Sequence, residues 1–78
     1  MPAPTTINGY PVIAQLPKKN DPTLIIIIVW REGHPVHPYV VASWWEGLKD
    51  GWWQGHYEKT SDDAAAKLLE RSGHKKTE

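Results

Sequence analysis

The chain has 78 residues and no cysteine, and its nine Lys plus Arg balance nine Asp plus Glu. The missing cysteine removes disulfides and thiolate zinc sites, two of the usual supports for a domain this small, and leaves oligomerisation as the expected one. A net charge of zero gives no overall field to hold a polyanion or an anionic bilayer.

The first residues, "MPAPTTINGYP", have neither a basic stretch nor an apolar one, so they are not read as a signal peptide and a soluble, cytoplasmic protein is expected. Pro2, Pro4 and Gly9 with little apolar content mark residues 1–9 as a flexible arm. A single domain then covers residues 10–73. "YPVIAQLP" places Val12, Ala14 and Leu16 on one alternation between Pro11 and Pro17, which suits an edge strand because proline cannot donate to a ladder. "KKNDP" reads as a turn initiated by Asn20 and Asp21.

"TLIIIIVWRE", residues 23–32, is β-branched almost throughout and has no polar alternate, the pattern of a strand buried on both faces. Its apolar run from Leu24 to Trp30 is far short of the roughly 20 residues of a spanning helix, so no membrane is expected. "GHPVHP" ends that strand. "YVVASWWE" and "WWQGHYEK" form two more strands around "GLKDG", with Asp50-Gly51 as the turn dipeptide.

The period then changes from two to that of a helix. In "TSDDAAAKLLERSGH", Thr60 and Ser61 are N-cap candidates, Asp62 and Asp63 favour the positive end of the helix dipole, and Gly73 supplies the stop. Ala64, Ala65, Leu68 and Leu69 make a narrow apolar stripe, with Lys67, Glu70 and Arg71 left for water. Residues 74–78 read as a disordered tail. Four strands then one helix is an α+β order: an antiparallel meander with the C-terminal helix packed on one face.

Four of the five tryptophans stand as two adjacent pairs, Trp44-Trp45 and Trp52-Trp53. A symmetric hairpin would set Trp45 opposite Trp52 and Trp44 opposite Trp53, and alternation would send the members of each pair to opposite faces. One face then collects Val40, Ala42, Trp44, Trp53, Gly55 and Tyr57 as core, with Gly55 and Ala42 making room for Ala64 and Ala65 of the helix. The expected core is Leu24, Ile26, Ile28, Val40, Trp44, Trp53, Tyr57, Leu68 and Leu69. The other face carries Tyr39, Trp45, Trp52 and His56, aromatic bodies with polar tips, and these four form the candidate binding surface. Alternation leaves open which face of the Ile-rich strand meets the helix. Because one helix covers only one face, a second copy of the chain is expected on the other, giving a homodimer through the sheet.

No catalytic residues, metal site or cofactor are expected. His34 and His37 lie in a Pro-rich loop without metal-ligand spacing, even with His56 beside them. Ser43, His56 and Glu58 make a triad only on paper, with no nucleophile elbow or oxyanion hole. In element order the chain is similar to the repeat unit of the whirly-type single-strand-binding coactivators, which implies a nucleic-acid alternative: Tyr39, Trp45 and Trp52 stacking bases, and Lys18, Lys19, Arg31, Lys49, Lys75 and Lys76 on phosphates. The absence of net positive charge weighs against it. The expected function is a small non-enzymatic interaction module, with docking on a larger protein as a further alternative.

Overall fold

A computed structural model describes residues 3–48 and 51–73. The elements in chain order are β1 (Thr6–Ile7), β2 (Tyr10–Lys18), β3 (Asp21–Trp30), β4 (Tyr39–Trp45), β5 (Trp53–Glu58) and α1 (Ser61–Ser72). Each strand pairs antiparallel with its neighbour in sequence, so the α+β meander with a C-terminal helix is present, with five strands where four were expected. Asp50 of the expected Asp50-Gly51 turn and the tail 74–78 lie outside the described residues.

The additional strand comes from the segment read as an arm. Asn8 and Gly9 have φ of 53° and 82°. Positive φ at both central positions is what a type I′ hairpin turn requires, and Asn-Gly is the dipeptide best suited to it. The turn folds Ile7 back opposite Tyr10 and Thr6 opposite Pro11. The Thr5 carbonyl then accepts from the Val12 N–H at 2.8 Å. Further back, the Gln15 side chain grips the Ala3 backbone at both ends: its Oε1 accepts from the Ala3 N–H at 2.9 Å and its Nε2 donates to the Ala3 carbonyl at 3.3 Å. Residues 3–7 therefore form a strap across the sheet, and Ala3 and Ile7 are buried beneath it, 5% and 6% exposed.

That strap answers the question of what covers the second face of β3. Ile25, Ile27 and Val29 pack with Val40 and Ala42 under Ala3, Ile7, Val12, Trp44 and Trp52. On the opposite face Ile26, Ile28 and Val41 pack under Ala64 and Leu68, with Ala14, Leu16 and Tyr39 alongside. The helix thus covers the face of β4 that carries Tyr39, Val41 and Ser43, not the one that carries Val40, Ala42 and Trp44. The expected faces are exchanged, and the chain itself supplies the cover assigned above to a second copy.

Three of the expected core residues are surface residues: Trp53, Tyr57 and Leu69 are 48%, 48% and 43% exposed. Ala65 is exposed as well, so the expected fit of Ala64 and Ala65 against Gly55 does not occur. Ile26, Ile28, Val40 and Leu68 are buried, whereas Leu24 and Trp44 are half-buried at the margins.

The helix ends as its sequence dictates. Thr60 Oγ1 accepts from the Asp63 N–H at 3.1 Å, and Gly73, at φ 82°, turns its N–H back to the Glu70 and Leu69 carbonyls. The Ser72 carbonyl accepts from the Lys19 N–H at 2.7 Å and ties the end of α1 to the β2–β3 turn.

Gln15→Ala removes both bonds to the strap and leaves its apolar contacts in place. We expect a loss of about 1 to 2 kcal/mol in urea denaturation, with faster amide exchange at Ala3 and Ile7 and unchanged exchange at Ile26 and Ile28.

Candidate functional site

The candidate residues meet around an irregularity between β4 and β5. Tyr39 pairs with Glu58, Val40 with Tyr57 and Val41 with His56, as a symmetric hairpin would have it. The next pair is Ser43 with Trp53, so Ala42 alone faces two residues, Gln54 and Gly55. Gln54 absorbs the extra residue with a φ of 54°. This is a β-bulge, and it moves every side chain beyond it to the other face of the sheet.

The tryptophans sort accordingly. Trp53 joins Trp45 on the helix side, where the rings meet edge to face with centroids 5.7 Å apart at 78°. Trp52 turns to the strap side, packs on the apolar cluster there and lies over Gly55. A Cβ at Gly55 would fall 2.9 Å from Trp52 Nε1 and 3.0 Å from Val40 Cγ1, closer than side-chain atoms pack. Glycine is needed here for room and not for a left-handed backbone.

The four candidate surface residues therefore do not form one platform. Tyr39 packs against the cluster under α1, Trp45 stands at the far end of β4, and His56 is exposed on β5 opposite Val41. Trp52 is on the other side of the sheet. Trp53, assigned to the core by the symmetric register, takes the place beside Trp45 that had been given to Trp52.

Arg71, expected to be left for water, is instead bonded to the sheet, a role that sequence reasoning missed. Its Nη1 donates to the Val41 and Gln54 carbonyls, both at 2.7 Å, and its Nη2 donates to Ser43 Oγ at 2.8 Å. The guanidinium sits in the gap that the bulge opens and supplies donors to carbonyls at the interruption of the ladder. Burial lowers its pKa from the ordinary arginine value, yet the group stays charged at neutral pH. In the neighbouring Lys67–Glu70 pair, 3.1 Å apart, Glu70 is exposed and Lys67 is partly buried. A bulge is invisible in composition, and so was the need for an arginine opposite it.

Ser43 is buried, and its hydroxyl accepts from Arg71. Among the described residues no hydrogen bond joins Ser43, His56 and Glu58, and no group of three His, Cys, Asp or Glu side chains is placed to hold a metal ion.

His34 instead organises its own loop. Its Nδ1 accepts from the His37 N–H at 3.0 Å and more weakly from the Val36 N–H at 3.4 Å. Arg31 closes the same loop by donating from Nη2 to the His37 carbonyl at 2.7 Å, and its guanidinium lies 4.8 Å from the Tyr57 ring centre. Partial removal from water, then the charges of Arg31 and His37, lower the His34 pKa below its ordinary value of 6.5. The groove at the other end of β4 is lined by Asp21, Pro22, Thr23, Leu24, Trp45 and Glu46 and encloses about 530 Å³.

With this geometry in hand, comparison with family models, with curated proteins and with solved structures finds no match to the chain. The class established is that of a small α+β domain, an antiparallel meander capped by one helix.

Two outcomes follow from these contacts. Gly55→Ala forces Trp52 or Val40 aside and costs about 1 to 3 kcal/mol in denaturant unfolding, accompanied by a change in tryptophan emission; an unshifted midpoint would mean that Trp52 does not rest there. For His34, the folded pKa lies below the unfolded one, so the unfolded chain takes up the proton first. Its contribution to stability is complete above pH 6.5 and is lost as pH falls through the folded pKa. Relative to its intrinsic rate at each pH, amide exchange at Val36 and His37 should accelerate as pH falls below 6.5, and His34→Asn, which keeps an acceptor without the titration, should remove the dependence.

Proposed function

We propose that this chain is a small non-enzymatic interaction module that pairs with a second copy of itself along the outer edge of β5. The observation that carries this reading is the contrast between the two sheet edges. On one side, β2 carries Pro11, Pro17 and Lys18, and β1 pairs with its first residues. Proline and lysine are the residues by which natural edge strands discourage further pairing. On the other side, β5 reads "WQGHYE", with no proline and no lysine, and it is the last strand in the sheet order.

An edge strand presents unpaired N–H and C=O groups to any strand laid along it. Trp53 and Tyr57, both half exposed, lie on opposite faces of β5, so an added strand would be flanked by an aromatic ring on each side. Tryptophan and tyrosine are enriched where protein surfaces meet. Antiparallel self-pairing about Tyr57 also sets each His56 opposite a Glu58, a complementary cross-strand pair that the two-fold repeats.

Base stacking has less support, because Trp45 and Trp52 do not share a face and the chain has no net positive charge. Docking on a larger protein would use the same β5 edge and differs only in whose strand is added.

Sedimentation equilibrium tests the reading. A concentration-dependent dimer is expected. His56→Glu, which sets carboxylates face to face across the two-fold, should weaken it about tenfold, and adding Glu58→His to that variant should restore it. A chain monomeric up to about 1 mM would overturn self-pairing and turn the edge toward another protein, while a dimer indifferent to both substitutions would place its interface elsewhere.

A further inference from the structure

Among the described residues, the groove at the far end of β4 has a chemically one-sided lining. Leu24 and Trp45, which pair across β3 and β4, supply its apolar wall, and Asp21 and Glu46 supply two carboxylates. Among the described residues, no Lys, Arg or His lines it. Its volume of about 530 Å³ falls within the range of sites that hold a ligand group.

Two of these walls are already held in place. Trp45 is braced by the edge-to-face contact with Trp53 at 5.7 Å. The Asp21 carboxylate is oriented by Thr23, whose Oγ1 donates to Oδ1 at 2.6 Å and whose N–H donates to the same oxygen at 3.3 Å. A preset ring and a preset carboxylate reduce the ordering that binding must otherwise bring about.

We infer that this groove receives an arginine side chain from a protein partner, its guanidinium stacked on the Trp45 indole and forked toward Asp21 and Glu46. Indole faces attract cations, and arginine favours them because its plane stacks flat while its edge donates in a fork that matches carboxylate oxygens. A lysine ammonium would keep the charge and lose both the stacking plane and the fork. The inference concerns a different surface from the β5 edge and does not depend on self-pairing there.

The test uses the full chain and three short blocked peptides identical except for a central arginine, lysine or citrulline, the last having the arginine shape without its charge. Titrations are followed by NMR at the indole N–H signals of Trp45 and Trp53. The arginine peptide should shift both signals with a dissociation constant on the order of 1 mM, and the lysine and citrulline peptides should bind at least about tenfold more weakly. Asp21→Asn with Glu46→Gln, isosteric changes at exposed positions, should weaken the arginine peptide by a similar factor while the remaining spectrum stays in place. Equal binding of arginine and citrulline peptides, or shifts that survive the double substitution, would overturn the inference. So would the absence of any shift at the Trp45 indole.

Discussion

Everything in this fold answers to one strand that must be covered twice. β3 carries apolar side chains on both faces, with Ile25 through Val29 all buried, and an edge-limited sheet in a chain of 78 residues has few elements with which to cover it. One helix of 12 residues covers the even-numbered isoleucines. The odd-numbered ones lie under a short N-terminal strap that is held by the β1–β2 pairing and by the Gln15 side chain. Each buried apolar side chain of this size contributes about 1.5 to 3 kcal/mol relative to exposure, so leaving either face open would remove a large share of the stability available to so small a domain.

The second face is closed by parts that depend on one another. Trp52 reaches the strap side only because the bulge at Gln54 reverses the alternation of β5, and it fits there only because residue 55 is glycine. The bulge in turn interrupts the ladder between β4 and β5, and Arg71 from α1 donates to the carbonyls at that interruption. Through this arginine the helix on one face is linked to the placement of a tryptophan on the other. Val41 is buried, and a buried carbonyl without a donor is costly, which gives the guanidinium a structural task.

The same reversal decides what the surface offers. It sets Trp53 and Tyr57, both half exposed, on opposite faces of the last strand in the sheet order, and it brings Trp53 against Trp45 beside a groove lined by carboxylates. Both readings of function rest on these consequences of one extra residue in β5: strand addition along the edge, and capture of a cationic side chain at the end of β4. Neither needs a catalytic group, and each uses aromatic side chains whose rings are already restrained.

Much of the architecture was legible in the residues. The unbroken β-branched run determined a strand buried on both faces, and Thr60, Asp62, Asp63 and Gly73 determined where the helix begins and ends. Local chemistry is sufficient for such features because capping, propensity and alternation act over a few residues. The Asn8-Gly9 turn is an equally local signal, set against surrounding prolines that suggest an arm. What only the tertiary structure decided was the pairing: which face of β4 meets α1, the bulge that separates Trp52 from Trp53, and the approach of Arg71 to partners 17 to 30 residues away along the chain. The physical reason is that a one-residue shift in register costs little locally yet exchanges the two faces of a strand. Its outcome depends on how well both faces are then filled, a property of the whole packed domain and not of any short stretch of sequence.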